Sequence, residues 1–358
     1  RVSSDSFSLS IRQHQVLSNL SIEIASQSND YLNTAIKKIS SGKYNEALFY
    51  LDKSIEYDSL DPVAFFNRGT IKGKVIGDLK GSILDFDKAI YLDPLYAKAY
   101  NNRGNVKIEL EDINAAILDF DQAIKIDNNY AIAYNNRGNA KIKLNDLEGA
   151  ISDFNKAIEI NPSNSVFFYN RANSNYRLGN FSDSINDFQK AIDINPVDVK
   201  SFYNIGTAKN NIGDYIGAVN AFTRAIDIDP TDPRGYYNRG SVKSKGLLDS
   251  EGAIVDFDKS ISLNPNAALP YNNRGNAKRN IGDLKGAIID FDTAIQIDPQ
   301  YSLAYYNRAI TNQQIGNIKL ACIDYEKAIQ FSGAVLARWL ETQFDEVCQI
   351  TNSSNKIN

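Results

Sequence analysis

Asparagine recurs at nearly constant spacing along most of this chain, each time within a short repeated string. The string is Asn-Arg-Gly or Asn-Arg-Ala in seven copies and Asn-Ile-Gly in an eighth. We call these eight asparagines the asparagine ladder: Asn67, Asn102, Asn136, Asn170, Asn204, Asn238, Asn273 and Asn307. A side-chain amide both donates and accepts hydrogen bonds. A row of such groups therefore matches the backbone amides of an extended polypeptide.

More amides and aromatic rings accompany the ladder. Further asparagines stand directly before or three residues after its members, at Asn101, Asn105, Asn135, Asn139, Asn173, Asn272 and Asn276. Tyrosine directly precedes it at Tyr169, Tyr203, Tyr237 and Tyr306. A tyrosine adds apolar area with a polar tip, which suits contact with a polypeptide. The alternative is that these amides only hydrate a polar surface or connect neighbouring repeats.

An arginine follows seven of the eight ladder asparagines, and an aspartate stands 16 or 17 residues after each of these arginines. The pairs are Arg68 with Asp85, Arg103 with Asp119, Arg137 with Asp153, Arg171 with Asp187, Arg239 with Asp256, Arg274 with Asp290, and Arg308 with Asp324. Where Ile205 replaces the arginine, Ala221 replaces the aspartate. This joint loss predicts an ion pair inside each repeat. A link between repeats is less favoured, and an arginine row that grips an acidic ligand is the functional alternative.

Residues for catalysis or metal binding are scarce. The single histidine, His14, precedes the repeated region, so no histidine triad or zinc site can form there. The two cysteines, Cys322 and Cys348, are too few for a disulfide framework or a zinc site, and both are predicted to fill the apolar core. The Asp-Phe-Asp strings are predicted on helices rather than in a calcium loop. The sequence thus predicts no enzyme, no cofactor and no metal.

Composition narrows the classes of partner. The 358 residues carry a net charge of −4, so no basic field attracts nucleic acid. No apolar run reaches the roughly 18 residues of a membrane-spanning helix, so direct membrane insertion is not expected. The chain starts at Arg1 and lacks methionine, which predicts processing or trimming. The compartment stays open: a cytoplasmic location is favoured, and export is the alternative.

The ladder belongs to a longer internal repeat. Ala35 and the small residues of the eight strings follow one another along the chain at intervals of 34 or 35 residues. In the unit 131–164 the landmarks are Tyr134, Gly138, Ala150, Phe154, Ala157 and Pro162. This pattern resembles the tetratricopeptide family, which implies an all-α, right-handed superhelical solenoid of helix-turn-helix repeats. The predicted repeats are 28–61, 62–96, 97–130, 131–164, 165–198, 199–232, 233–267, 268–301 and 302–335.

The resemblance also implies a binding surface. In that family the first helices line a concave groove, so the ladder, Asn105, Asn139, Asn276, Tyr169, Tyr203 and Tyr237 are predicted to contact a peptide there. The O-linked N-acetylglucosamine transferases use a comparable ladder. Family members that bind the C-terminal carboxylate of chaperones use a clamp with lysine at the fifth residue of a repeat. This chain never has lysine at that position, so chaperone tails are not expected as partners. The phrasing of the repeats is similar to that of tetratricopeptide proteins common in cyanobacteria.

The ends of the chain differ from the repeats. Residues 1–27 are weakly patterned, and residues 351–358 are predicted to form a flexible tail. An apolar stripe of Leu336, Leu340, Phe344 and Val347 predicts a capping helix over 334–350. We therefore predict a non-catalytic scaffold that binds a protein or an extended peptide in its groove. The alternatives are a binding arm of a larger enzyme and a self-assembling structural oligomer.

Overall fold

The computed structural model describes residues 23–349, and these residues contain helices but no strand. The predicted all-α class of helix-turn-helix repeats is therefore confirmed. The chain divides into two compact units, Arg1–Leu178 and Gly179–Asn358. The predictions for His14, for the remainder of the segment before residue 23 and for the tail at 351–358 lie outside the described residues.

The first unit contains nine helices within its described residues. They are α1 (23–40), α2 (Tyr44–Tyr57), α3 (Pro62–Ile71), α4 (Leu79–Leu92), α5 (Ala97–Glu109), α6 (Ile113–Ile126), α7 (Ala131–Lys143), α8 (Leu147–Ile160) and α9 (Ser165–Arg177). A π-helical turn, Lys72–Ile76, extends α3.

The second unit contains ten helices within its described residues. They are α10 (Phe181–Ile194), α11 (Val199–Asn211), α12 (Tyr215–Ile228), α13 (Pro233–Lys245), α14 (Ser250–Leu263), α15 (Ala268–Asn280), α16 (Leu284–Ile297), α17 (Ser302–Gln314), α18 (Ile318–Gln330) and α19 (Ala334–Phe344). A π-helical turn, Asp345–Gln349, follows α19.

Within each unit, every helix packs on the next one along the chain, and several first helices also contact the first helices of the adjacent repeats. We call the surface that these first helices share the first-helix face. It consists of α5, α7 and α9 in the first unit, and of α13, α15 and α17 in the second. A helical hairpin cannot bury its apolar side alone, so this stacking is what stabilises each repeat.

Local chemistry sets where the second helices begin and how closely they approach the first. The side chain of Asp146 accepts a hydrogen bond from the backbone N–H of Gly149 and caps α8. In the same repeat the ring of Phe154 is fully buried against Gly138. A Cβ atom at Gly138 would lie 2.7 Å from Cε1 of Phe154, so the missing side chain permits the close approach of α7 and α8.

The predicted ion pair inside the hairpin is present. Arg137 donates from Nε to Oδ2 of Asp153 over 2.9 Å and from Nη2 to Oδ1 over 2.5 Å. Lys141 adds a second cation, with 2.8 Å between its Nζ and Oδ2 of Asp153. The Asp153 side chain is 4% exposed and that of Arg137 is 20% exposed. The same double contact joins Arg68 to Asp85, Arg103 to Asp119, Arg239 to Asp256, Arg274 to Asp290, and Arg308 to Asp324.

The same arginines also connect consecutive repeats, through a further polar partner that was not predicted from the sequence. Arg137 donates from Nη1 to Oδ1 of Asp121, on the second helix of the preceding repeat, over 2.6 Å. Its guanidinium lies over the ring of Tyr134, 5.5 Å from the ring centre. Burial lowers the pKa of Arg137, but its hydrogen bonds to Asp153 and Asp121 outweigh this effect and raise the pKa above its ordinary value.

The prediction for the two cysteines is wrong. Cys322 and Cys348 were predicted to be separate core residues, but they form a disulfide, with 5.8 Å between their Cα atoms. The bond joins α18 to the turn that follows α19. The sequence did not reveal this because the pairing depends on how α19 returns along the last repeat. There, Leu340 is fully buried, and Phe344 and Val347 pack beside Tyr325.

Removing only Asp153 from the buried Arg137–Asp153 pair should lower the free energy of unfolding more than removing both residues. We expect Asp153→Ala to lower the free energy of unfolding by about 3 kcal/mol, because Arg137 and Lys141 lose their shared carboxylate. The double variant Arg137→Ile/Asp153→Ala should lose less. Urea unfolding followed by circular dichroism measures both.

The chain supplies a natural control for this comparison. Ile205 and Ala221 hold the equivalent positions in α11 and α12 and are only 4% and 7% exposed, so an apolar pair packs well in this scaffold. An equal or larger loss in the double variant than in Asp153→Ala would show that the cost is not that of an unpaired charge.

Loss of the disulfide should loosen the C-terminal end. The bond closes a loop with a sequence separation of 26, for which cross-linking the unfolded chain contributes about 3 kcal/mol. We expect Cys348→Ser to speed amide hydrogen exchange in α18 and α19, with little change in α13, because stability in a repeat array is local.

The variant Cys322→Ala/Cys348→Ala provides the control for chemical reduction. A thiol reductant should speed exchange in the unaltered protein and leave that variant unchanged. If exchange in the reduced protein, with both thiols titrated, stays as slow as in the oxidised protein, the disulfide does not hold α19 in place.

Candidate functional site on the first-helix face

The asparagine ladder lies entirely on first helices. Asn67 is on α3, Asn102, Asn136 and Asn170 are on α5, α7 and α9, and Asn204, Asn238, Asn273 and Asn307 are on α11, α13, α15 and α17. All are half-buried except Asn307, which is buried. The ladder residues are therefore placed equivalently in each repeat, but most of their surface is in contact with protein.

Hydrogen bonds between side chains connect the ladder across repeats in the first unit. Asn136 donates from Nδ2 to Oδ1 of Asn101 over 2.9 Å, and Asn170 donates in the same way to Asn135 over 2.8 Å. Within one repeat, Asn135 donates to Oδ1 of Asn136 over 3.4 Å. Amide thus follows amide from α9 through α7 to α5.

The first-unit network ends at a hydroxyl group. Asn101 donates to Oδ1 of Asn102 over 3.2 Å, and Asn102 donates to Oγ1 of Thr70 on α3 over 3.3 Å. Asn67 departs from the pattern, because its Nδ2 donates to the carbonyl oxygen of Val63 in its own helix over 2.8 Å. The network therefore connects four first helices, and Asn67 is held apart from it.

A shorter network of the same kind occurs in the second unit. Asn307 donates to Oδ1 of Asn272 over 2.9 Å, and Asn272 donates to Oδ1 of Asn273 over 3.3 Å. Asn273 then donates to the hydroxyl of Tyr237 over 3.2 Å. A tyrosine can therefore take the place that an asparagine occupies in other repeats.

These bonds connect the repeats, as one of the sequence-based alternatives supposed, and they leave part of each amide unused. Asn136 donates one N–H to Asn101 and accepts one hydrogen bond from Asn135 at its side-chain oxygen. A carboxamide has two donors and two lone pairs. The network fixes the orientation of the side chain while half of its hydrogen-bonding capacity remains.

The asparagines three residues after the ladder lie beside this network. Asn139 is exposed on α7, whereas Asn105 and Asn276 are half-buried on α5 and α15. Residues three or four apart share one side of a helix, so these amides lie on the same stripe as the ladder. The Oδ1 atom of Asn276 is buried and has no hydrogen-bond donor among the described residues.

The three predicted tyrosines are half-buried. Tyr237 packs on Phe257 and accepts the bond from Asn273, so it supports the repeat from within. Tyr203 packs on Phe222, and the guanidinium of Arg234 lies 5.3 Å from its ring centre. Burial raises the pKa of Tyr203 well above its ordinary value, so this phenol is neutral at physiological pH.

Sequence reasoning missed the pairing between the fifth and sixth positions of adjacent repeats. The dipeptides Asn101-Asn102, Asn135-Asn136 and Asn272-Asn273 carried that signal. The first asparagine of each dipeptide accepts a hydrogen bond from an asparagine of the following repeat. The second asparagine donates a hydrogen bond to a side chain of the preceding repeat. Two adjacent asparagines on successive first helices can therefore indicate an inter-repeat bond.

Residues 23–349 contain neither a group of potential metal ligands nor a membrane-spanning helix. No cluster of three or more His, Cys, Asp or Glu side chains in this range has the arrangement of a metal site. None of its helices has both the length and the apolar character needed to cross a bilayer.

Family models match the repeats in both units. Tetratricopeptide repeat models match residues 131–164, 166–196 and 303–334. A further model, described as a TPR repeat, matches residues 104–144, 208–245 and 275–316. Together these matches cover more than half of the chain. No curated protein matches it.

Solved structures share the fold. The C-terminal part of a TPR repeat-containing protein from Cytophaga hutchinsonii is 19% identical, with a TM-score of 0.57 over 64% of this chain and 95% of that one. PilF of Pseudomonas aeruginosa is 15% identical, with a TM-score of 0.54 over 62% and 99%. A tetratricopeptide repeat protein from Parabacteroides merdae is 19% identical, with a TM-score of 0.50 over 70% and 98%.

These matches agree with the 34- or 35-residue period, the paired helices and the contacts between first helices within each unit. The chain belongs to the tetratricopeptide repeat family.

Proposed function

We propose that the protein is a non-catalytic interaction scaffold that holds an extended segment of a partner protein on its first-helix face. Protein interaction is the general role of its family, and the extended segment and the residues that contact it are our proposal. The observation that carries it is the network of side-chain amides from Asn170 to Asn102.

The network supports binding because it orders the amides before a ligand arrives. A free asparagine side chain loses rotational freedom when it binds, which weakens association. In this protein the bonds to neighbouring repeats already fix Asn136 and Asn170. The remaining N–H and oxygen lone pair of such an amide can each bond to one peptide group of an extended segment.

Exposed apolar side chains flank the ladder and add contact area. Each lies four residues before a ladder asparagine and therefore on the same side of its helix. They are Ile132 and Val166 in the first unit, and Leu269 and Leu303 in the second. An extended segment with alternating side chains could place apolar groups on these residues and its backbone on the amides, which would supply affinity with little sequence preference.

The proposal is tested with amides that lie outside the network. We expect Asn105→Ala/Asn139→Ala to weaken peptide binding about tenfold, because two hydrogen bonds to the ligand are lost. The unfolding midpoint should stay unchanged. Binding is measured by fluorescence anisotropy with peptides selected by the unaltered protein from a random displayed library.

The matched control replaces two exposed asparagines away from the first-helix face. Asn114 lies on α6 and Asn128 in the turn after it, and both are exposed. The variant Asn114→Ala/Asn128→Ala should bind as the unaltered protein does. If both double variants bind equally well, or if selection yields no peptide, the amides of the first-helix face do not hold a peptide.

A further inference from the structure

Arg279 on α15 differs from the arginines that join the repeats. It is half-buried, and its Nη1 donates to the backbone carbonyl oxygen of Asn307 over 3.2 Å. Among residues 23–349, no carboxylate lies within ion-pair distance of its guanidinium. A guanidinium carries five N–H donors and a full charge. Its charge therefore remains uncompensated within the described part of the protein.

Arg274, on the same helix, shows the usual arrangement. Its guanidinium contacts both oxygens of Asp290 and one oxygen of Asp258. Burial lowers the pKa of Arg274, but these hydrogen bonds raise it overall. For Arg279, burial lowers the pKa and no carboxylate offsets it. A buried charge in a protein is normally paired with an opposite charge. The environment of Arg279 is therefore that of a cation suited to bind an anion.

Asn276 supplies a second, independent observation. It lies three residues before Arg279 on the same stripe of α15, and its buried Oδ1 lacks a donor among the described residues. A buried acceptor without a donor costs free energy and is rare in native structures. An unsatisfied acceptor and an unpaired cation thus lie about one helical turn apart.

Two phenols, Tyr306 and Tyr325, lie close enough to Arg279 to affect its pKa, and no carboxylate among the described residues does so. Burial raises the pKa of Tyr306 on α17, and the positive charge of Arg279 offsets only part of this, so the phenol stays protonated near neutral pH. The ring of Tyr306 packs edge-on against Trp339, with 5.0 Å between the ring centres. Tyr325 behaves similarly, since burial raises its pKa to about 12 and its hydroxyl donates to Gln313.

We propose that Arg279 and Asn276 form a subsite for one carboxylate-bearing residue of the segment held on the first-helix face. The guanidinium of Arg279 binds the carboxylate. The Asn276 side chain, whose Oδ1 is buried in the unbound protein, rotates on binding so that Oδ1 accepts a hydrogen bond from a nearby backbone N–H of the segment. This inference rests on the proposed function and adds an acidic preference at one point of an otherwise sequence-tolerant surface.

The chemistry favours a carboxylate over a phosphorylated side chain. A single guanidinium offers a planar fork that matches the two oxygens of one carboxylate. Recognition of phosphorylated segments generally uses clusters of arginines. The carboxylate has two sources, an Asp or Glu side chain within the segment or its free C-terminus. A C-terminal source would need only Arg279, not the lysine and arginine clamp that the repeats lack.

The test is a selection of random peptides on the unaltered protein and on Arg279→Gln. We expect peptides selected by the unaltered protein to share one Asp or Glu, or a free C-terminus, at a fixed place. Exchange of that residue for Gln or Asn, or amidation of the terminus, should weaken binding about tenfold in anisotropy measurements. Arg279→Gln should bind the acidic and neutral peptides equally.

Two controls separate this role from a structural one. Arg338→Gln, at an exposed arginine on α19, should keep the acidic preference. The unfolding midpoint of Arg279→Gln should equal or exceed that of the unaltered protein. Arg274→Gln should unfold more easily, because Asp290 and Asp258 lose the guanidinium that they share and Asp290 keeps only Lys278. A midpoint for Arg279→Gln as low as that of Arg274→Gln would make Arg279 a structural residue and overturn the proposal.

The remaining outcomes distinguish this proposal from the proposed function. If the unaltered protein selects peptides that have no acidic preference, the carboxylate subsite is refuted and peptide binding stands. If Arg279→Gln retains the full acidic preference, a different residue reads the acid and the subsite is again refuted. If no peptide is selected, the proposed function and the subsite fail together.

Discussion

The guanidinium at the seventh position of a repeat joins three helices at once, and the order of the first-helix face depends on it. Arg137 binds both oxygens of Asp153 in its own hairpin and one oxygen of Asp121 in the preceding repeat. The bidentate contact fixes direction as well as distance. A first helix that carries this arginine is therefore held in register with two second helices, and its neighbouring side chains occupy defined positions.

That register allows amides on consecutive helices to meet. Asn136 and Asn101 lie 35 residues apart in sequence, yet Nδ2 of one lies 2.9 Å from Oδ1 of the other. The polar network and the arginine pairs thus start from adjacent residues of the same short string, Asn136-Arg137-Gly138. The glycine brings the hairpin together, the arginine fixes its register, and the asparagine presents an ordered amide.

Much of this fold was predictable because the repeats of one chain can be compared with one another position by position. The absence of both Arg and Asp from the repeat with Ile205 and Ala221 identified the ion pair, and the period identified the helix pairs. The contacts of Arg137 with Asp121 and of Cys322 with Cys348 were not predictable. Both depend on distances between helices that the pattern within a single repeat does not specify. The absence of a carboxylate beside Arg279 was not predictable for the same reason, since it depends on which residues of other helices lie near its guanidinium.

We propose that ordered amides of the first-helix face bind the backbone of an extended segment. A crystal structure of the protein with one selected peptide tests it most directly. We expect an extended peptide across α5, α7 and α9 or across α13, α15 and α17, with its backbone N–H and C=O groups bonded to ladder and adjacent asparagines. A peptide seated on the second helices, or held only through its side chains while the amides bond solely to one another, would contradict it.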